Sequence, residues 1–211
     1  MEYKWIKTGI VCGFLTVIIY PSMLFLDLPV QFTLIMACSF GIFFMIASIG
    51  LYHFIAINKK TVSLQLGVLF NIIACSVVVM MFTIQLALVS VKQNDGIVIQ
   101  KEIMNYVFHT LNTIQLSLDV VWDIFLSLGT ILLAMNMIPH PKLGKVIGII
   151  GMILAAGLLV LNISTFPIPP GEAGLIDLGP ITALWYLAVT IMIALRMKWV
   201  SEKSALKPEI A

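Results

Sequence analysis

Charge is what this sequence has least of. Asp, Glu, Lys and Arg make up 10% of its 211 residues, against 61% hydrophobic ones. A soluble domain of this length cannot hide so much apolar side chain, because too large a share of its residues must face water. A soluble fold is therefore excluded, and an integral membrane protein is implied. Arginine occurs once, as Arg196 at a predicted membrane edge. Chemistry on phosphate groups, which usually wants an Arg or Lys clamp, is disfavoured. The three cysteines, Cys12, Cys38 and Cys75, lie inside apolar runs without metal-ligand spacing, so they read as small buried side chains. No pair of histidines has a spacing or depth suited to haem. His53 reads as interfacial and His140 as a loop residue. The chain also has no nucleophile elbow, phosphate-cradling loop or zinc-protease motif.

Long apolar runs lie between the few charges. A spanning helix needs about 20 apolar residues, and the runs are too long for barrel strands. The pattern predicts an all-α integral membrane protein with six transmembrane helices in one domain, 1–211. The helices are expected near 8–26, 32–57, 62–91, 106–137, 145–163 and 180–197. The first run follows Lys4 and Lys7 as a signal peptide would, but no A-x-A-like site follows, so it is expected to span. Ten of the twelve basic residues fall in the amino terminus, the 58–61 and 138–145 loops and the carboxyl tail. The positive-inside rule then puts both termini in the cytoplasm, and a prokaryotic plasma membrane is the expected location. Tyr3, Trp5, Tyr52 and Trp199 read as an inner aromatic belt. Tyr20, Tyr106, Trp185 and Tyr186 read as an outer one.

Two outer loops have substance. Residues 92–102 contain the turn signal Asn94-Asp95-Gly96, and residues 164–179 carry Pro167, Pro169 and Pro170. The second could fold back over the outer face. In it, Asp177 reads as the start of the sixth helix and Glu172 as a solvated acid. On the fifth helix, Gly144, Gly148, Gly151 and Ala155 share a face that permits close packing, within the fold or in a homo-oligomer.

Residues 116–129, LSLDVVWDIFLSLG, hold two acids four residues apart in an apolar run. On a helical wheel Asn105, His109, Asn112, Gln115, Asp119, Asp123, Ser127 and Thr130 share an arc about 120° wide. Its centre, midway along 106–137, is the acid pair, which puts the pair at the bilayer midplane. Inserting a charged Asp there costs about 2.5–3.5 kcal/mol, so the stripe must face protein or water. The two carboxylates, about 6 Å apart on a helix, have no Lys or Arg within any predicted span. At least one is expected to hold its proton at neutral pH, or a bound cation supplies the missing charge. If a metal binds, Asp119 and Asp123 are its candidate ligands. Asn71, Cys75 and Gln85 on the third helix face the stripe, with Gln85 a candidate partner of Asn112. Trp122, beside Asp123, needs an acceptor for its indole N–H.

The segments LDVVWDIFLSLGTILLAMNM, LGKVIGIIGMILAAGLLVLN, TFPIPP and GLIDLGPITALWYLAV resemble a domain-of-unknown-function family of multi-pass bacterial and archaeal membrane proteins. The resemblance covers about 116–190 and rests on a WD pair, a Pro-rich outer loop and a DLGP segment. It implies that Trp122, Asp123, Asp177, Gly179 and Pro180 are family features, and it implies no activity.

Three functions fit the residues. The first is a midplane acidic site that binds or moves a proton, cation or small polar molecule, built from Asp119, Asp123, Gln115, Asn112, His109, Trp122, Gln85 and Asn71. The second is a structural, sensory or immunity-type membrane protein without catalysis, in which protonated acids hold helices together. The third is an intramembrane hydrolase using the acids with His109 or water. The lipid bilayer is an expected partner; neither a nucleic acid nor a cofactor is expected.

Overall fold

The computed structural model describes residues 2–92 and 101–205, without the side chains of Leu24, Lys92, Lys101, Glu102, Ser204 and Ala205. The Asn94–Gly96 turn signal lies outside the described residues. Every element is helical: α1 (Glu2–Phe25), α2 (Val30–Ala56), α3 (Val62–Lys92), α4 (Lys101–Met137), α5 (Lys145–Thr165), α6 (Gly179–Ala194) and α7 (Met197–Ala205). By length and composition α1 to α5 can each cross a membrane, and a sixth span exists only if α6 and α7, bent by 55° across a short break, count as one. The expected span 180–197 is thus a 16-residue helix with a turn away from it at Leu195-Arg196.

The helices pack in sequential antiparallel pairs, α1 on α2, α3 on α2 and α4, and α5 on α4, with α6 against α1 and α5. Two seams depend on glycine. A Cβ on Gly9 would lie 2.6 Å from the Gly50 Cα, and one on Gly129 would lie 2.9 Å from the Gly67 carbonyl oxygen. Only backbones without side chains can approach so closely, and lipid-embedded helices gain their association from such packing. The α5 stripe is used in the same way inside the chain. Gly148 abuts the Ala134 carbonyl of α4, Gly151 lies under the Trp185 ring of α6, and Ala155 is fully buried. That face is occupied within the chain rather than free for a second copy. Gly144 has a different role: it precedes α5 with φ +83°, a left-handed conformation that favours glycine.

Helix lengths set the depth of everything else. The 21 residues of α5 rise about 31 Å, one hydrocarbon thickness. The 37 residues of α4 rise about 55 Å, so its first turns extend past the far end of α5. There Ser117 donates to the Pro167 carbonyl at 3.3 Å, and residues 101–116 project beyond that level. The midpoint of 106–137 is therefore not the middle of the bundle.

At the opposite, lysine-rich end, α7 folds over the bundle. Trp199 meets Phe54 edge-on at 5.7 Å, and His140 packs against both, 5.0 Å from Phe54 and 5.7 Å from Trp199. Lys142 lies over the Trp199 ring at 5.7 Å. The Lys142 backbone N–H donates to His140 Nδ1 at 3.2 Å. Burial pushes the His140 imidazole down to about 4 from its ordinary 6.5. The unfolded chain therefore binds this proton more readily than the folded one. The stabilising contribution is complete above pH 6.5 and is lost as pH falls through 4. Between those limits the Tm of the detergent-solubilised protein should fall by on the order of 5 °C. His140→Phe should flatten that part of the curve; an unchanged slope would exclude the histidine as its source.

Candidate functional site

The acid pair stands near one end of the bundle. Asp123 Oδ2 accepts the Asn162 amide N–H at 2.9 Å, and Asn162 also donates to the Leu158 carbonyl at 3.0 Å. Asn162 lies three residues before the end of α5, so Asp123 sits within about 5 Å of that end. The site is near the end of the bundle opposite the lysine-rich loops, not at its middle. Asp123 is 5% exposed, and its Oδ1 is buried without a hydrogen-bond partner among the described residues. The same holds for the indole nitrogen of Trp122 and for Asn162 Oδ1. Asp119, one turn further out, is partly buried.

A second construction closes the site from the other side. After α5 the chain turns through a cis Phe166-Pro167 bond and a hydrogen-bonded segment in which Ala173, Gly174 and Leu175 donate to Pro169, Gly171 and Pro170. It then runs inward, and the Leu178 side chain reaches Gly157, eight residues before the end of α5. The sixth helix therefore starts about 12 Å below that end. Asp177 accepts the Gly179 N–H at 2.8 Å and so satisfies one of the open donors at the start of α6. This agrees with the helix-start reading of Asp177, and Pro180 occupies the first turn, where a missing N–H costs nothing. The inward offset also overturns one expectation. Trp185 is 4% exposed and donates from Nε1 to the Ile147 carbonyl at 2.9 Å, and Tyr186 points into the bundle. Neither belongs to an outer aromatic belt.

The WD pair, the Pro-rich loop and the DLGP segment thus converge. Trp122, Asp123, Pro169, Asp177, Gly179 and Pro180 line one cavity of about 490 Å3, together with Asp119 and the inner faces of α1, α2 and α6. Comparison with protein families, characterised proteins and solved structures finds no match for this chain. Its chemistry must be read from the cavity. Three carboxylates stand at one end, no Lys, Arg or His among the described residues contributes to the lining, and the remaining wall is largely apolar. The positive end of the α6 dipole opens into the same space.

The polar stripe of α4 divides into three parts. Asn105, His109 and Asn112 are exposed on the projecting turns. The partner expected for Asn112 is also exposed: Gln85 makes no hydrogen bond with it. His109 is ten residues from Asp119, about 15 Å along the axis, which separates it from the acids. Gln115 is buried close to the acids, outside the cavity lining. Ser127 and Thr130 are buried toward the lysine-rich end. There Asn71 donates to Ser48 Oγ at 3.2 Å and to the Tyr186 hydroxyl at 2.8 Å, and that hydroxyl bonds Thr130 at 2.7 Å. Asn71 therefore joins a four-helix polar clasp rather than the acid site. Among the described residues, no three His, Cys, Asp or Glu side chains come together as a metal-ligand set. Sequence reasoning missed Asn162 and Tyr186. Asn162 carried a signal: it is the first polar side chain after Lys145 in an otherwise apolar fifth run.

Tyr186→Phe removes the hydroxyl that joins Asn71 to Thr130. It should lower stability by about 1–3 kcal/mol, measured as a Tm decrease in detergent, and Tyr186→Phe combined with Asn71→Leu should cost less than the two single changes together. Strict additivity would show that the clasp does not act as a unit.

Proposed function

We propose that this chain is a membrane-embedded binding protein whose Asp119/Asp123 site binds or moves a proton, a cation or a small polar molecule. The observation that carries this reading is Asp123 Oδ1: buried, without a donor, and beside a cavity with no basic residue in its lining. Such an acceptor is costly to leave unsatisfied in a low-dielectric interior. A bound cation or proton meets the need that the chain itself does not. Reading the lysine-rich end as cytoplasmic puts the site toward the outer face of a prokaryotic plasma membrane.

The reading in which acids merely hold helices together gains less support. Asp123 does join α4 to α5 through Asn162, but its second oxygen takes no part in that bond, and the clasp of Ser48, Asn71, Tyr186 and Thr130 joins α2, α3, α4 and α6 with neutral groups. The hydrolase reading loses its histidine, because His109 is remote from both carboxyls and exposed.

Infrared difference spectroscopy tests the proposal. Addition of a small organic cation such as methylammonium, or a step in pH, should change a carboxyl or carboxylate band in the wild type. Asp123→Asn should abolish most of that change, and Asp119→Asn should reduce it. Identical difference spectra for the wild type and the double variant would overturn the site. Orientation has its own test. A single cysteine introduced at position 95 should react with an impermeant reagent in intact cells, and one at position 203 should not; the reverse pattern would invert the topology.

A further inference from the structure

The cavity is much longer than a small cation needs. Its wall on α1 runs from Ile6 to Phe25, nineteen residues or about 28 Å. That is about three times the diameter of a sphere of the same volume. The polar groups are not spread evenly along it. Asp119, Asp123 and Asp177 stand at the far end with Trp122, whereas Ile6, Ile10, Leu51, Val189 and Ile193 line the lysine-rich end. Between them the wall is made of small and aliphatic residues such as Gly13, Val17, Ala47 and Ala183, with hydroxyls from Ser48, Thr16 and Thr190 besides those of tyrosine.

Resting on the proposed binding function, we infer that the ligand is a single-chain amphiphile with a protonated amine head and an apolar tail. The head sits at the carboxylates and the tail lies along α1 and α6 toward the lysine-rich end. Charge complementarity selects the head. Asp123 Oδ1 is a buried acceptor without a donor, and an ammonium brings donors and a positive charge together. An anionic head would meet three carboxylates and no basic residue in the lining. A neutral alcohol could hydrogen-bond but would leave the acids uncompensated. The Trp122 ring lines the same end of the cavity and presents an aromatic face to a cation there. The tail is selected by shape and lining: a small hydrated cation gains nothing from a long apolar passage, whereas an extended hydrocarbon chain is desolvated along its whole length.

Photo-crosslinking in maltoside micelles separates this inference from the broader one. The probes are a dodecylamine and a dodecanol, each with a diazirine at the tail end, with labelled peptides mapped by mass spectrometry. Dodecylamine should label residues 6–13 and 189–193 in the wild type. Asp123→Asn should reduce that labelling about tenfold or more, with Asp119→Asn also reducing it in case the first variant folds poorly. Dodecanol should label the same residues weakly and equally in all three proteins. Ala47→Trp, which fills the apolar passage, should suppress labelling by dodecylamine while leaving the infrared response to methylammonium intact. Equal labelling by amine and alcohol, or labelling indifferent to Asp123, would overturn the amphiphile and show that the passage takes any hydrocarbon chain. If the methylammonium response survives that result, the binding site stands without the tail; if both fail, both proposals fall.

Discussion

Hydrocarbon offers no hydrogen bonds, and that single constraint organises this molecule. Each polar side chain within the span has to find its partner on another helix, line a cavity, or, as Thr16, Ser76 and Thr83 do, bond the carbonyl four residues back on its own helix. The Asn71–Tyr186–Thr130 clasp takes the first solution. It joins α3, α6 and α4, with Ser48 adding α2, and it uses groups that are neutral at any ordinary pH. Asp123 takes the second. Asn162 supplies one hydrogen bond, the other oxygen is buried without a partner among the described residues, and the residue itself lines the cavity. The two solutions lie about 10 Å apart on α4, so one helix contributes to both the clasp and the cavity wall.

The return of the chain after α5 is what creates the cavity. Had α6 begun level with the end of α5, its first turns would pack beside Asn162. Instead residues 166–178 descend by about 12 Å before the helix starts. Asp177 and the first turn of α6 are thereby carried down into the same space as Asp119 and Asp123. Half-length helices that begin inside a membrane are a known way of directing the polar end of a helix at a site. Here the partial positive charge of that end lies among carboxylates, which it favours.

Much of the architecture was legible from where charges are missing. The expected spans 32–57, 62–91 and 145–163 differ from α2, α3 and α5 by at most two residues at either end. Asp119, Asp123 and Trp122 were legible because polar residues in an apolar run are expensive and must be used. Depth was not legible. The run 106–137 suggests a helix centred on the acids, but α4 continues outward and α5 is the better ruler. Tyr186 resembled a belt residue because aromatic side chains near the ends of apolar runs usually are; only the descent of the preceding loop moves it inward. The break after Ala194 has no proline or glycine to announce it.

The shortness of α6 also constrains how the protein is made. Its 16 residues rise about 24 Å, less than the hydrocarbon thickness, and the segment before it is irregular backbone at membrane depth. Bare lipid does not tolerate such a segment. Here Pro170 is buried while residues 171–177 are exposed, so the support for this part of the chain comes from the helix that follows, which packs on α1 and α5. Both of those helices precede α6 in the chain, so its packing surface is made before it is. A short helix of this kind depends on the partners it docks against as well as on its own hydropathy.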